Sequence, residues 1–396
     1  MIKRTMYLEK IRPFYHKNIV KVITGIRRSG KSTLLLQIVE DLITQGVTRN
    51  QIVHINLDQY ESAHLKDKQQ LYDYLKTRIT TTHKTYIFLD EIQEVTQFET
   101  IINSINSYES VDIYLTGSNS KMLSSEYATY LTGRYVSFEV FPFSFKEMCI
   151  YHENKNPQQV FIDYVTFGGF PQVQLFSQPQ DKKALLMDLY NSIVIKDLSE
   201  RYNIKDISVL ERYLLYINNT ISSLFTAENI SAYFKSEGRT IAKETLYNYI
   251  KYAKDSFFVY SAQRYDIRGK RLLTTNEKLF INDQGFRGLF FSNQADIEKI
   301  LENIVYFELL RRNYQVFVGN VGENEIDFIC IKNESRIYIQ VAYILATPST
   351  VEREFNALLK INDQYPKYVI STDVFNQSRD GIIHMNIMDF LLDTTI

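Results

Sequence analysis

This sequence contains few of the residues and segments that mark secreted, zinc-binding or membrane proteins. Its two cysteines, Cys149 and Cys330, are far apart in the chain and have apolar neighbours, which favours free thiols in a reducing compartment over a disulfide. No Cys/His spacing typical of a zinc site occurs. The sequence has no run of about 18 apolar residues, and its basic amino terminus lacks a continuous apolar core. We therefore expect a cytoplasmic protein with no membrane segment.

The sequence also lacks tryptophan and has almost no net charge. With 45 Lys and Arg against 46 Asp and Glu, the formal net charge is −1, which excludes polyanion binding over the whole surface. Any nucleic-acid surface must therefore be local. The 29 tyrosines and 25 phenylalanines indicate a compositional bias rather than a function. The length of 396 residues exceeds what one core usually serves, which predicts two or three domains.

The motif Gly-x-x-x-x-Gly-Lys-Ser at residues 25–32 follows an apolar run and precedes a helical pattern. Glycines let the backbone close around an anion, and the positive end of the helix then points at the phosphates. We expect Lys31 to reach the β- and γ-phosphates and the Ser32 hydroxyl to bind Mg²⁺. The motif predicts an ATP cradle made of Gly25, Arg28, Ser29, Gly30, Lys31, Ser32 and Thr33.

A second motif places two adjacent carboxylates, Asp90 and Glu91, directly after the apolar run of residues 86–89. Ligands of parallel α/β sheets bind at the carboxyl edge of the strands, where this pair would lie. Asp90 would hold Mg²⁺, directly or through water, and Glu91 would orient and polarise the attacking water. Together with the ATP cradle, the pair predicts hydrolysis. Taken alone, it equally fits a strand end with solvated acids.

The first third of the sequence alternates strand-like and helix-like patterns, which predicts an α/β fold with a doubly wound parallel sheet. The expected strands cover residues 19–24, 52–57, 86–90, 111–116 and 136–140, and the helices between them include residues 32–42 and 71–79. The fourth strand runs into Gly-Ser-Asn-Ser. In additional-strand ATPases a polar residue here senses the γ-phosphate or positions the water, so Asn119 is the first candidate and Ser118 the second. A plain turn is the alternative.

Several strings together resemble a known family. They are Gly-Ile-Arg-Arg-Ser-Gly-Lys-Ser, Ile-Phe-Leu-Asp-Glu-Ile-Gln, Thr-Gly-Ser-Asn-Ser, Thr-Gly-Arg followed by Phe-Pro-Phe-Ser-Phe-Lys-Glu, and, further on, residues 167–171, 196–202 and 338–343. This set is similar to the prokaryotic AAA-type P-loop ATPases that carry a C-terminal domain of unknown function, the AAA_14/DUF4143 group. The resemblance spans nearly the whole chain. It implies that Arg134, in Thr-Gly-Arg, is an arginine finger or sensor, acting in cis or from a neighbouring subunit.

Helical patterns from about residue 208 to residue 254 are followed by two strand-like runs, residues 257–265 and 272–275, with a basic turn between them. Helix, turn, helix and basic hairpin indicate a winged helix. Residues 235–271 carry nine Lys/Arg against four Asp/Glu, which would favour phosphate contacts. The candidate DNA-binding residues are Lys243, Tyr247, Lys251, Arg268 and Lys270. The alternative is a helix that packs against the ATPase core and leaves its lysines solvated.

The last hundred residues predict a helix over 297–311, three strands and a helix over 351–361. Glu302 on the first helix and Asp327 on the second strand lie where PD-(D/E)xK nucleases place metal-binding carboxylates. The third strand should carry Glu-x-Lys or Asp-x-Lys, but it has Gln340 and Ala342 instead. These exchanges remove a charged metal ligand and the cation that would assist cleavage.

We therefore expect the tail to be a degenerate nuclease scaffold used for binding or assembly. Arg353 and Lys360 are the replacements for the missing lysine that the sequence suggests. Glu325 and Asp327, on one face by strand alternation, equally fit ordinary solvated acids.

The leading interpretation is a Mg²⁺-dependent ATPase that couples its nucleotide state to a winged helix and a nuclease-like tail and acts on DNA. The alternatives are a slow ATP-driven switch or scaffold with a protein partner, and a metal-dependent DNA nuclease. Whether the protein forms a homo-oligomer stays open. The predicted domains are an ATPase core over residues 1–148, a helical linker or lid over 149–205, a winged helix over 206–292 and a nuclease-like domain over 293–396.

Overall fold

The computed structural model describes residues 2–119, 134–273, 277–292, 296–322 and 324–393. These residues form two compact units. The first unit comprises the described residues up to Pro142 together with Asp255–Phe257, and the second comprises Phe143–Lys254 and the described residues from Phe258 onward. No helix in the described ranges is long and apolar enough to cross a lipid bilayer. The predicted division of the chain into four domains stays a prediction.

The first unit contains a parallel sheet. Its described strands are β1 (Val20–Thr24), β2 (Ile52–Asn56), β3 (Thr85–Asp90), β4 (Val111–Gly117) and β5 (Tyr135–Glu139). The helices are α1 (Thr5–Ile11), α2 (Lys31–Thr44), α3 (Lys68–Arg78) and α4 (Phe98–Asn106). The strands are ordered β2-β3-β4-β1-β5 and all neighbouring pairs are parallel. This arrangement confirms the predicted parallel sheet, and each strand bound lies within one residue of the predicted one.

Both faces of this sheet are covered because its strands are apolar on both sides. Ile87 and Leu89 of β3 pack in one cluster with residues of α3 and α4. Tyr86 and Phe88, which alternate with them, pack in a second cluster with residues of α1 and α2. The side-chain alternation of a strand thus builds two cores and leaves the strand ends, rather than the faces, for ligands.

Beyond Pro142 the described helices follow one another closely. They are α5 (Phe145–Tyr151), α6 (Pro157–Phe167), α7 (Pro179–Ser192), α8 (Ile207–Asn219), α9 (Ala227–Ser236), α10 (Lys243–Asp255), α11 (Gly285–Phe290), α12 (Ile297–Arg311), α13 (Pro348–Leu359) and α14 (Ile387–Leu392). A π-helical segment, Ile193–Glu200, continues α7 and contains part of the family string at residues 196–202.

The second unit has two sheets among its described residues. The strands are β6 (Ser223–Leu224), β7 (Val259–Ala262), β8 (Arg264–Asp266), β9 (Arg271–Leu272), β10 (Lys278–Ile281), β11 (Gln315–Val321), β12 (Asn324–Lys332), β13 (Ser335–Val341), β14 (Lys367–Ser371) and β15 (Ile382–Asn386). Three of them form an antiparallel sheet in the order β6-β10-β7. The others form a mixed sheet in the order β15-β14-β13-β12-β11-β8-β9.

The predicted strand over residues 257–265 is wrong as a single element. Its first part, β7, pairs with β10, whereas its second part, β8, pairs with β11 and β9 in the other sheet. The basic hairpin therefore exists as β8 and β9, but it extends the mixed sheet. The reason is a parallel pairing between β8 and β11, which are far apart in the sequence, and periodicity contains no information about such a partner.

The predicted helix over residues 297–311 is confirmed as α12. The three predicted strands after it are confirmed as β11, β12 and β13, and the last predicted helix begins three residues earlier, as α13. The sequence analysis did not predict β14, β15 and α14. These short elements follow α13 and add parallel strands to the sheet, so their identity depends on pairing with β13.

Candidate functional site

The loop between β1 and α2 turns sharply at glycines. Gly25 has a φ of 139° and Gly30, which precedes α2, has a φ of 99°, both in the region that favours glycine. A Cβ at Gly25 would lie 2.2 Å from the carbonyl oxygen of Val140, so a larger residue would displace the backbone. Arg28 adds a third left-handed turn, with a φ of 66°. The loop therefore closes on itself before α2 begins.

Lys31 lies inside this loop, with its side chain almost fully buried. Its Nζ donates hydrogen bonds to the carbonyl oxygens of Gly25 and Ile26, both at 3.0 Å. Arg4 supports the loop, since its guanidinium donates to the Ser29 carbonyl oxygen at 3.1 Å and to the Phe141 carbonyl oxygen at 2.9 Å. The Lys31 ammonium is thus held inside the loop, and the Arg4 guanidinium supports the loop at Ser29. Ser32 is exposed and Thr33 is half-buried on the first turn of α2.

The two predicted carboxylates lie at the carboxyl end of β3, and a third residue connects them. Thr116, at the end of β4, donates its hydroxyl hydrogen to Asp90 Oδ1. The same hydroxyl oxygen accepts the backbone N–H of Glu91 at 2.9 Å. Glu91 has a φ of 57°, and its carboxylate accepts a hydrogen bond from Gln93 Nε2. The sequence analysis missed Thr116, although a polar residue that ends a buried strand is a signal that it could have used.

Three hydroxyl oxygens at the carboxyl ends of β1 and β4 and in the loop after β1 are buried without a hydrogen-bond partner among the described residues. They are Thr24 Oγ1, Ser29 Oγ and Ser118 Oγ. Buried polar atoms normally have partners, so these atoms leave hydrogen-bonding capacity for a polar ligand. Asn119, the first candidate for sensing the γ-phosphate, is half-buried and follows Ser118 directly. Strand pairing of Thr24 with Gly117 brings this segment next to the loop after β1.

Ser32 and Asp90, the two predicted Mg²⁺ ligands, line one cleft of about 480 Å³. The cleft extends along β2 past His54 and Asn56. Burial lowers the pKa of His54, while the charge of Asp90 opposes that shift. A hydroxyl and a carboxylate are oxygen ligands of the kind that Mg²⁺ prefers. The residues present therefore fit a magnesium ion beside the loop.

Arg134 does not join this cluster. It precedes β5, is exposed, and its carbonyl oxygen accepts the backbone N–H of Val20 at 2.9 Å. Val20 begins β1 whereas the loop follows its last residue, and five strand residues span about 13 Å between their end Cα atoms. Arg134 thus lies at the amino ends of the strands, whereas Lys31 lies at their carboxyl ends. This separation disfavours a role of Arg134 in cis. Residues 132 and 133 of the Thr-Gly-Arg string lie outside the described residues.

The candidate DNA-binding residues fall on two elements. Lys243, Tyr247 and Lys251 are exposed on α10, and Lys243 forms an ion pair with Glu228 at 2.5 Å. Arg268 and Lys270 are exposed in the turn between β8 and β9. All five side chains can thus be reached from solvent, but the helix and the turn belong to different parts of the second unit's architecture.

The tail brings Glu302 and Asp327 together, as predicted from the nuclease comparison, but through a residue that was not predicted. Lys278, the first residue of β10, forms ion pairs with Glu302 at 2.6 Å, with Glu325 at 2.9 Å and with Asp327 at 3.6 Å. Neither Arg353 nor Lys360 supplies this ammonium group. Lys278 follows a stretch without clear periodicity, so nothing in its local sequence connected it with the carboxylates.

The family string at residues 167–171 is explained by close packing around Asp283. The carboxylate of Asp283 accepts the backbone N–H of Gly169 at 2.7 Å and that of Gly285 at 2.9 Å. A Cβ at Gly168 would lie 1.6 Å from Asp283 Oδ1. Burial raises the pKa of Asp283 to about 6, although both backbone N–H groups lower it. The glycines in this string are therefore required by structure.

The parallel sheet, the glycine-lined loop and the acid pair at the strand ends define the fold of an AAA-type P-loop ATPase. Comparison with known families agrees, because residues 17–149 match AAA_14, described as an AAA domain. Residues 158–296 match DUF8612, described as a domain of unknown function, where the resemblance implied DUF4143.

Whole-chain relatives extend this assignment. The chain is 36% identical over 400 residues to an uncharacterised protein of Haemophilus influenzae, a match that covers 99% of each chain. It is 30% identical over 367 residues to an uncharacterised protein of Methanocaldococcus jannaschii, covering 87% of this chain and 78% of that one. The chain belongs to the family of AAA-domain proteins that includes the Haemophilus influenzae protein. Among solved structures, the Walker-type ATPase of Pyrococcus abyssi is similar with a TM-score of 0.49 and 14% identity, covering 73% of this chain and 95% of that one.

Proposed function

We propose that this protein binds ATP and hydrolyses it with Mg²⁺. The observation that carries the proposal is the hydrogen bonding of Thr116, which joins Asp90 and the backbone of Glu91 at the sheet edge next to the loop. An acid pair with only a solvated surface role would need no such support. Preorganised charges at the place where charge develops are the main source of catalysis in phosphoryl transfer.

The loop residues would bind the triphosphate. The ammonium of Lys31 rests on carbonyl oxygens of Gly25 and Ile26, which it can exchange for phosphate oxygens of greater charge. The left-handed Gly30 turns the chain into α2, whose positive end stabilises anions. The unpartnered hydroxyls of Ser29 and Ser118 support the same ligand, because phosphate oxygens would accept their hydrogens.

Ser32 and Asp90 would hold the magnesium ion, which when bound neutralises negative charge on the phosphates. Asp90 is oriented for this by the hydroxyl of Thr116. Glu91 would accept a proton from the attacking water and orient it in line with the γ-phosphate. Asn119 would contact the γ-phosphate. Arg134 would complete the site from a neighbouring subunit, given its distance from Lys31 in its own chain.

The test is an ATPase assay with purified protein, with and without DNA. We expect Glu91→Gln to keep ATP binding, measured by calorimetry, and to lose hydrolysis by about 100-fold or more, the scale of general-base catalysis. We expect Lys31→Ala to lose both. Gln93→Ala is a matched control, since Gln93 donates a hydrogen bond to Glu91 but has no proposed role toward water or metal, and its loss should cost far less. Absence of adenine-nucleotide affinity in the wild type would overturn the proposal.

We also propose that residues 206–292 form a winged helix that contacts DNA. Support comes from the order of elements, which is helix α8, strand β6, helices α9 and α10, and strands β7 and β10 with β8 and β9 between these two. Exposed Tyr247 and Lys251 on the third helix of this group supply an aromatic ring and a cation suited to a phosphate backbone. The basic turn with Arg268 lies in the connection between β7 and β10.

A gel-shift series at increasing salt tests this second proposal. We expect binding to weaken as salt rises, and Lys251→Glu and Arg268→Glu each to weaken it further. Lys183→Glu is the matched control, because Lys183 is exposed on α7, outside the proposed surface. Equal effects of all three variants, or no salt-dependent binding, would contradict a specific surface.

The alternative of a slow switch or scaffold predicts ATP binding as well. It differs in rate, since hydrolysis would stay slow when DNA or a partner is added, whereas a DNA-coupled ATPase should accelerate. The nuclease alternative predicts DNA cleavage with Mg²⁺ or Mn²⁺ that Asp327→Ala abolishes. Cleavage that persists in Asp327→Ala would come from another site or a contaminant.

A further inference from the structure

The side chain of Lys278 is enclosed by three carboxylates within the second unit. Its Nζ lies 2.6 Å from Glu302, 2.9 Å from Glu325 and 3.6 Å from Asp327, and the lysine side chain is 5% exposed. Glu302 comes from α12, and Glu325 and Asp327 come from one face of β12. A buried ammonium group with three acidic neighbours is a charge cluster in which the acids outnumber the cation, and it differs from a pair on the surface.

Both carboxylate oxygens of Asp327 are already engaged. Asp327 Oδ2 accepts the backbone N–H of Val341 at 2.8 Å, while its Oδ1 faces Lys278. Gln340, which stands where a nuclease would carry an acid, accepts the backbone N–H of Asp327 through its side-chain oxygen at 3.3 Å. These hydrogen bonds between β12 and β13 thus hold Asp327 beside the lysine.

A divalent metal does not fit beside Lys278. Magnesium and calcium need several oxygens at about 2.0–2.6 Å, and one oxygen of each of the three acids already faces the ammonium group. An ion bound to them would lie close to a positive charge in a buried place, where repulsion is strong. Among the described residues, no group of three or more His, Cys, Asp or Glu is arranged to hold a metal. The carboxylates therefore lie where a nuclease would bind its metal, but with Lys278 among them they do not fit a metal ion.

We infer that Lys278 is a resident cation that takes the place of the divalent metal, so that this carboxylate centre is complete without metal and does not cleave DNA. Strand β10 thus supplies the lysine that the third strand lacks. This lysine is held by the acids as their ion-pair partner. The three acids already line a cleft of about 480 Å³, and removal of Lys278 should free their oxygens there for a metal.

The charges around the centre agree with this inference. Burial raises the pKa of Asp327 to about 6 even with Lys278 beside it, and burial raises the pKa of Glu302 above its ordinary value. Burial alone would lower the pKa of Lys278, but the three acids raise it, so the lysine keeps its proton at neutral pH. The same cleft is lined by two further acids, Glu298 and Glu354.

The experiment is a Mn²⁺ titration of the full chain without nucleotide, followed by calorimetry, on the wild type, Asp327→Asn, Lys278→Met and the double variant Lys278→Met/Asp327→Asn. We expect the wild type to lack any Mn²⁺ site that Asp327→Asn removes. We expect Lys278→Met to gain one, and the double variant to lose it again. Each comparison counts only the Mn²⁺ binding that Asp327→Asn removes. Metal bound near Asp90 therefore does not affect the result.

Thermal unfolding provides a second measurement. Leaving the acids without their cation should lower the unfolding midpoint of Lys278→Met by on the order of 10 °C, and Mn²⁺ should restore part of it. Lys278→Arg is the matched control, which should gain no metal site. If Lys278→Met fails to fold, Lys278→Met/Glu302→Gln, which also removes one acid, should recover stability. A wild-type Mn²⁺ site sensitive to Asp327→Asn, or a folded Lys278→Met with no gained site, would overturn the inference.

Discussion

Thr116 is the residue that turns two neighbouring acids into a positioned pair. Its hydroxyl donates to Asp90 and accepts from the backbone of Glu91, so one side chain orients both the predicted metal ligand and the backbone of the predicted base. Glu91 follows the end of β3 and has a left-handed φ of 57°, so strand geometry does not place its side chain relative to that of Asp90. Thr116 therefore acts on the site by positioning other residues.

We expect Thr116→Val to lower kcat by about 10- to 100-fold, because a hydrogen bond to a charged group contributes about 1.5–3 kcal/mol. ATP affinity should change little. Thr116→Ser keeps the hydroxyl and should recover most of the activity. Steady-state ATPase kinetics on the three proteins measure this, and a Thr116→Val enzyme with wild-type kcat would contradict the role.

His384 makes stability sensitive to mild acid. Its Nδ1 accepts the backbone N–H of Gln377 at 3.1 Å, its Nε2 lies 2.8 Å from Ser371 Oγ, and burial lowers its pKa although Asp373 opposes this. The neutral ring fits the fold, whereas the unfolded chain takes up a proton below about pH 6.5. Stability should therefore decrease as the pH falls from 7.5 to 5.5, by at most about 1.4 kcal/mol per pH unit from this residue.

The check compares urea unfolding of the wild type and His384→Gln across that range. The variant should lose less stability on acidification, because it cannot take up this proton in the unfolded state. Parallel profiles for the two proteins would show that His384 does not titrate in this way.

Strands β1 and β4 are joined by a buried ion pair far from the loop. Lys21 donates to Asp112 Oδ1, and Asp112 Oδ2 also accepts the backbone N–H of His16 at 2.8 Å and the hydroxyl of Tyr114 at 3.1 Å. Burial lowers the pKa of Lys21 and raises that of Asp112, and each charge opposes the shift of the other. This pair stabilises the amino ends of the strands whose carboxyl ends form the site.

We expect Asp112→Asn to cost about 3–5 kcal/mol of unfolding free energy, because it leaves the Lys21 ammonium buried without its counter-charge. The double variant Lys21→Met/Asp112→Leu should cost less than Asp112→Asn, since it removes both charges. Urea denaturation measures both. A double variant less stable than Asp112→Asn would show that the uncompensated Lys21 ammonium is not the cause of the loss in Asp112→Asn.

At the scale of the whole molecule, the position of Arg134 predicts that more than one chain forms the active site. Its own sheet separates it from Lys31, so an arginine finger at this residue would act on a neighbouring chain. A finger supplied in trans couples hydrolysis to assembly.

We expect Arg134→Ala and Lys31→Ala each to be inactive alone and to regain part of the activity when mixed. The Lys31→Ala chain would supply its Arg134 to the ATP site of an Arg134→Ala chain, which keeps Lys31 and still binds ATP. ATPase rates measured over a range of mixing ratios test this, with each variant mixed with buffer as the control. A mixture no more active than its components would exclude a finger in trans.

The sequence by itself determined the parallel sheet, the loop that surrounds Lys31 and the acid pair of Asp90 and Glu91. Each of these depends on residues close together in the chain, so spacing and periodicity suffice to predict them. The tertiary structure alone decided that Thr116 joins the acid pair from 26 residues away and that Lys278 meets Glu325 across 47 residues. It also decided that β8 pairs with β11 and that Arg134 lies at the far edge of the sheet. The physical reason is that strand pairing and buried charge compensation act between segments that are far apart in the sequence. The sequence of one segment does not show which distant segment it will contact.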